Sequence, residues 1–129
     1  MFLVSRREIA DVEPTVYIKG AASLGLGVAC KMTSGQLAKC AATDMPEYII
    51  NGPQRADGTY PVIRVLPTTT FETISTAAIT PDKIGTAVQM DTAADKVTAT
   101  AGGAFIVETT ENASNGVVTG HFKQPAAAG

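Results

Sequence analysis

Two stretches of this chain match each other in order, though weakly in identity. "LGVACKM" at residues 26–32 and "IGTAVQM" at 84–90 match a branched apolar residue, Gly, Ala and Met at a constant offset of 58 residues. The correspondence continues in order, more loosely, through "GQLAKCAA" and "DKVTATAG", "EYIIN" and "AFIVE", and "DGTYPVIRV" and "SNGVVTGHF". Such a repeat restricts the fold more than composition does. It reads as a structural duplication, a body built from two related halves. Each reads strand, turn, strand, loop, strand, turn, strand.

Within the copies the apolar period is two, as in strands with one buried face. Thr86, Val88 and Met90 share one side of a strand, with Ala87 and Gln89 on the other; Val28, Cys30 and Met32 do the same in the first copy. Phe105 and Val107 oppose Ile106 and Glu108. "PVIRVL" at 61–66 sets Ile63 and Val65 against Arg64, with Pro61 suited to a strand start. "TTTFETIST" at 68–76 is rich in β-branched residues and forms a further strand between the halves. Asn115 and Gly116 mark a turn. Twelve glycines and seven prolines spread along the chain agree with many short elements.

The fold class expected is all-β: a small β-sandwich or barrel built from two related halves, about residues 20–66 and 78–122, within a β domain at 15–122. Val28, Ile63, Val65, Val88, Val97 and Phe105 are expected in the core. An N-terminal arm at 1–14 stands before the first copy. It can be a short amphipathic helix, an edge strand or an extended arm, and Pro14 ends it. Because the duplicated body has no evident need of it, Phe2, Leu3, Val4 and Ile9, beside Arg6 and Arg7, are candidate contacts to a sister subunit or another protein. Residues 123–129 read as a flexible tail.

The chemistry of the sequence points away from catalysis. A formal net charge of −2, with no basic run longer than Arg6–Arg7, offers no electrostatic footprint for nucleic acid. No segment approaches the ~20 apolar residues of a membrane span, and "MFLVSRRE" reverses the order of a signal peptide. Cys30 and Cys40 are not spaced as a redox or zinc motif, and read as buried free thiols. The single histidine, His121, has no evident partner to orient it as a base, so it reads as a surface or interface residue.

The acidic residues fare no better as a site. Asp91 and Asp95 lack the further ligands of a calcium loop and suit a turn closed by backbone amides. Glu108 and Glu111 read as solvated loop charges rather than a glycosidase pair. Gly102 and Gly103 mark a turn or bulge, not a phosphate cradle, and "NAS" at Asn112 is a formal glycosylation sequon. No catalytic residue, metal site or cofactor is expected.

A small, tryptophan-free, Ala/Thr/Gly-rich β protein containing "VQMDTAADKV", the looser "ACKMTSGQL", and "GVVTGHF" resembles the head decoration, or capsid cement, proteins of tailed bacteriophages. The resemblance spans roughly residues 20–122. It implies a virion structural protein, made in the host cytoplasm, that binds the outer surface of the capsid shell and stabilises it. Its partner would be the major capsid protein, and it would be a homo-oligomer, with a trimer favoured; no nucleic acid or membrane is implied. The rival reading is a receptor- or glycan-binding β-sandwich module of a fibre or spike, which would stack sugars on Tyr17, Tyr48 or Tyr60.

Overall fold

The structure, a computed structural model, describes residues 1–7 and 16–123; the side chains of Arg6 and Arg7 are not described. The described residues form strands β1 (Leu3–Arg7), β2 (Val16–Lys19), β3 (Ala29–Thr33), β4 (Gln36–Lys39), β5 (Tyr48–Ile50), β6 (Thr59–Arg64), β7 (Thr69–Ile74), β8 (Ala87–Met90), β9 (Val97–Ala101), β10 (Phe105–Thr110) and β11 (Val117–Phe122). They build two antiparallel sheets, packed together as a small β-sandwich. The larger has the order β1-β7-β11-β10-β8-β9 and the smaller β2-β6-β5-β3-β4.

The two orders are the same once β1 is set aside. β2 to β6 form one sheet and β7 to β11 the other, so each half of the sequence contributes a whole layer. The registers agree strand by strand. Ala29 pairs with Ile49 as Ala87 does with Ile106, and Met32 with Leu37 as Met90 does with Val97. Val16 and Ile18 pair with Val62 and Tyr60, as Phe71 and Thr73 pair with Gly120 and Val118. Each first strand even ends on the same parallel bridge, Gly20 to Leu37 and Ser75 to Val97.

The repeated glycine shows why this alignment is visible in the sequence. Gly27 and Gly85 both hold positive φ, 77° and 88°, a conformation costly for other residues. Their amides donate to Ile50 O and Val107 O, each at 2.8 Å. The last pair of strands matches Val62 with Gly120, one residue away from the sequence alignment of "DGTYPVIRV" with "SNGVVTGHF".

Val28, Val88, Val97 and Phe105 are buried as expected. β6 corrects the expected face: Tyr60 and Val62 point into the core, while Ile63 and Val65 are half-buried. Pro61 also lies inside this strand rather than at its start. It is tolerated because its side of β6 faces the frayed end of β5, where Pro61 O accepts the Asn51 amide at 2.8 Å and no further ladder bond is lost.

Of the forms open to the N-terminal arm, the structure gives the edge strand. Residues 3–7 are an integral edge strand, with Leu3 opposite Glu72 and Val4 opposite Phe71. Phe2 is only 2% exposed. Its ring lies 6.4, 5.7 and 5.1 Å from those of Phe71, Phe105 and Phe122, so all four phenylalanines of the chain share one cluster. The reason is the pleat: an extended segment pairing with β7 puts alternate side chains, here Phe2 and Val4, over the inner face of that sheet. Lys123 closes the described chain, and the tail from residue 124 onward lies outside the described residues, as do Ile9 and Pro14.

Candidate functional site

The expected contact residues divide by face. Phe2 is consumed by the core, and Val4 packs against it. Leu3 remains 47% exposed on the outer face of the larger sheet, opposite Glu72. Arg6 and Arg7 pair through their backbones with Thr70 and Thr69. The outer face then continues across β7 and β11, where Ile74 lies opposite Val117 and Glu72 opposite Thr119. Ile74 and Val117 are 37% and 38% exposed, so this face sets apolar side chains beside a polar row.

At its centre the structure shows a pairing that sequence reasoning missed. β10 has a bulge between Val107 and Thr109. The extra residue, Glu108, is re-aimed so that Oε2 lies 2.8 Å from His121 Nδ1 and accepts from the Thr70 hydroxyl at 3.4 Å. Glu108 is therefore a half-buried strand residue, not a solvated loop charge, and His121 does have an orienting partner. A bulge leaves no trace in period-two patterning beyond a misplaced polar residue. Thr109 and Thr119 hydroxyls meet at 2.6 Å on the same face. The arrangement supplies an oriented imidazole but no described nucleophile in contact with it.

Four other carboxylates, of Asp91, Glu111, Asp44 and Asp57, hold turns and loops. Asp91 Oδ1 accepts the amides of Asp95 and Lys96, each at 3.2 Å, closing the β8–β9 turn as expected. Glu111 accepts the Val117 amide at the β10–β11 loop, apart from the Glu108 pair. Asp44 accepts from Lys31 Nζ at 2.6 Å and from the Ala41 amide at 2.8 Å. The Lys31 hydrogen bond, then the amide, hold its carboxyl below the usual range. Asp57 is held down in the same way by the Thr59 hydroxyl and amide.

Cys30 and Cys40 are free and buried. Burial pushes their thiols up to about 11 and about 12, the second also raised by the neighbouring Cys30. Among the described residues no three His, Cys, Asp or Glu side chains gather as metal ligands.

Two open pockets lie in the first half. One, of about 410 Å³, is floored by Tyr60 and walled by Leu24, Leu26, Pro53 and Gln54. Tyr60 is 1% exposed, its hydroxyl donating to Ala21 O at 2.7 Å and accepting the Leu24 amide at 3.2 Å. The other, of about 340 Å³, is lined by Pro46, Glu47, Tyr48, Arg64, Leu66 and Pro67 among others. Arg64 lies over the Tyr48 ring at 5.9 Å, and Arg55 over Tyr17 at 4.5 Å. The three tyrosines are thus buried, half-buried under an arginine, and exposed under an arginine.

No protein-family model matches the chain, and no curated protein or solved structure is significantly similar to it.

Proposed function

We propose that the protein is a virion structural protein that binds the outer surface of a phage capsid shell and stabilises it, acting as an oligomer, with a trimer favoured. The observation that carries this reading is the outer face of the larger sheet. Leu3, Ile74 and Val117 stand exposed there around Glu72, Glu108, Thr119 and His121, a mixture of apolar area and polar groups that suits a protein–protein contact. The segments that resemble cement proteins support it: "VQMDTAADKV" is the β8–β9 hairpin, and "GVVTGHF" supplies β11 at the middle of that face. Stabilisation follows by linkage, since a subunit that binds the expanded shell better than the unexpanded one shifts the equilibrium toward it.

The glycan reading draws less support. A sugar platform needs an open aromatic face, and Tyr60 is 1% exposed while Tyr17 and Tyr48 are overlain by Arg55 and Arg64. The test is co-sedimentation of the purified protein with expanded and unexpanded empty phage heads, alongside a glycan array. Saturable binding to expanded heads, lost with Ile74→Asp or Val117→Asp, is the expected result. Retained array signal with no binding to heads would overturn the proposal.

A further inference from the structure

At three places an asparagine or aspartate stands directly before a glycine: Asn51–Gly52, Asp57–Gly58 and Asn115–Gly116. In such a pair the glycine nitrogen can attack the carbonyl carbon of the preceding side chain, because glycine has no Cβ to obstruct the backbone rotation that closes the ring. What holds the nitrogen decides whether it does so.

Two of the three nitrogens are held. The Gly58 amide donates to Arg55 O at 2.9 Å, and the Asp57 carboxylate itself accepts from the Thr59 amide and hydroxyl at 3.0 and 2.6 Å. The Gly116 amide donates to Ala113 O at 3.0 Å, while Gly116 O accepts the Ser75 amide at 3.0 Å and the Asn115 amide donates to Ser75 O at 2.8 Å. The reacting peptide is thus tied on both sides, and attack in either turn requires local opening first.

Gly52 differs. The Asn51 amide donates to Pro61 O at 2.8 Å, but beyond that bond Gly52 gives neither its amide nor its carbonyl to any described residue. Gly52 is nonetheless buried, with its Cα so close to the Pro61 ring that a Cβ would stand 2.7 Å from Cγ, whereas Asn51 is exposed. A buried N–H without a partner is rare. No hydrogen bond has to break before this nitrogen reacts.

We propose that Asn51 is a site of spontaneous deamidation, and that it alone among the three glycine-linked positions reacts readily in the folded protein. The Gly52 nitrogen, giving its proton to a base in solution, bonds to Asn51 Cγ; the Cγ–Nδ2 bond breaks, ammonia leaves, and a cyclic imide forms. Water opens the imide at Cγ to leave aspartate, or at the main-chain carbonyl to leave isoaspartate, whose chain runs through Cγ. Overall a water is consumed and an ammonia released, with no change of oxidation state. The formal net charge moves from −2 to −3. The new carboxylate stands next to Gly52 and Pro53, which line the pocket floored by Tyr60, and the isoaspartyl form lengthens the main chain beside the Asn51–Pro61 hydrogen bond. The inference does not depend on the shell-binding proposal.

The test is to age the full chain in warm buffer at pH 8 and digest samples with trypsin, which places the three sites in separate peptides, 40–55, 56–64 and 97–123. Mass spectrometry reads deamidation, with fragment ions distinguishing Asn115 from Asn112, and an isoaspartate-specific methyltransferase assay reads the isomerised product. In the native protein Asn51 should convert at least about tenfold faster than Asn115, and peptide 56–64 should accept no methyl groups. New acidic species should appear on ion exchange and be absent from Asn51→Gln, whose longer side chain closes the ring poorly. In unfolding urea the two asparagines should convert at similar rates. Equal native rates at Asn51 and Asn115 would overturn the proposal. So would a preference for Asn51 that persists undiminished in urea, since it would then come from neighbours in sequence rather than from the unpaired Gly52 amide.

Discussion

Phe2 shows how much a single terminal side chain can contribute to a chain with four phenylalanines in all. Truncating a fully enclosed aromatic removes transfer free energy and leaves a cavity, so Phe2→Ala should cost about 3–5 kcal/mol in urea unfolding, while outward-facing Leu3→Ala should stay within about 0.5 kcal/mol. Equal effects at the two positions would contradict the face assignment. Glycines separate in the same way. A Cβ on Gly103 would stand 2.0 Å from Val88 O, whereas one on Gly35 meets nothing within 4 Å. Gly103→Ala must therefore displace backbone and should unfold at markedly lower denaturant than Gly35→Ala, whose penalty comes from its positive φ alone, about 1 kcal/mol. The thiols give a third check. With Cys30 near 11 and Cys40 near 12, fewer than about one in a thousand is thiolate at pH 8, so a disulfide reagent should label neither until denaturant is added. At this scale the sequence announced the buried thiols and the Asp91 turn. The role of Phe2 was illegible because "FLV" is apolar throughout, and only its partner β7, remote in sequence, decides which side chain points in.

Elements were legible where the alternation is clean and illegible where it is not. β8 alternates apolar with polar or small residues, and its inner face follows directly. In β6, Val62 and Ile63 are adjacent branched residues, and either can be inner; Tyr60, two residues before Val62, settles the face by finding Ala21 O and the Leu24 amide. The bulge at Glu108 was hidden for a related reason, since an extra residue breaks the period that would reveal it. One ion pair between elements carries a pH signature. Lys31 of β3 lowers the Asp44 carboxyl, and Asp44 raises the Lys31 ammonium. A depressed carboxyl contributes stability above its unfolded value, near 4, that is lost as pH falls through its folded value. Asp44→Asn should thus lower the melting temperature slightly at pH 6, the pair being partly exposed and screened, and the deficit should shrink as the pH falls below the unfolded value, near 4, and vanish once the folded carboxyl is protonated. Melting curves across that range check it; a deficit that persists at low pH would mean that Asn disturbs the loop rather than the charge.

For the whole molecule, the repeat was the most informative thing in the sequence, and it was readable because glycine, alanine and methionine recur where backbone conformation and close packing admit few others. That each copy forms its own layer was not readable, because nothing in a strand pattern tells which strands join across a sheet. The layering makes residues 65–68 the direct link from β6 to β7 and hence from one sheet to the other. A chain cut between Leu66 and Pro67 should consequently reassemble: fragments 1–66 and 67–129, each without a cooperative melt alone, should regain one when mixed, followed by circular dichroism. Failure of the mixture to melt cooperatively would show that the covalent link is essential to the packing. In such a pair β1, which belongs to the first fragment, would lie in the sheet of the second. The intact chain is built like a strand-swapped dimer whose subunits have been fused end to end, with one arm exchanged.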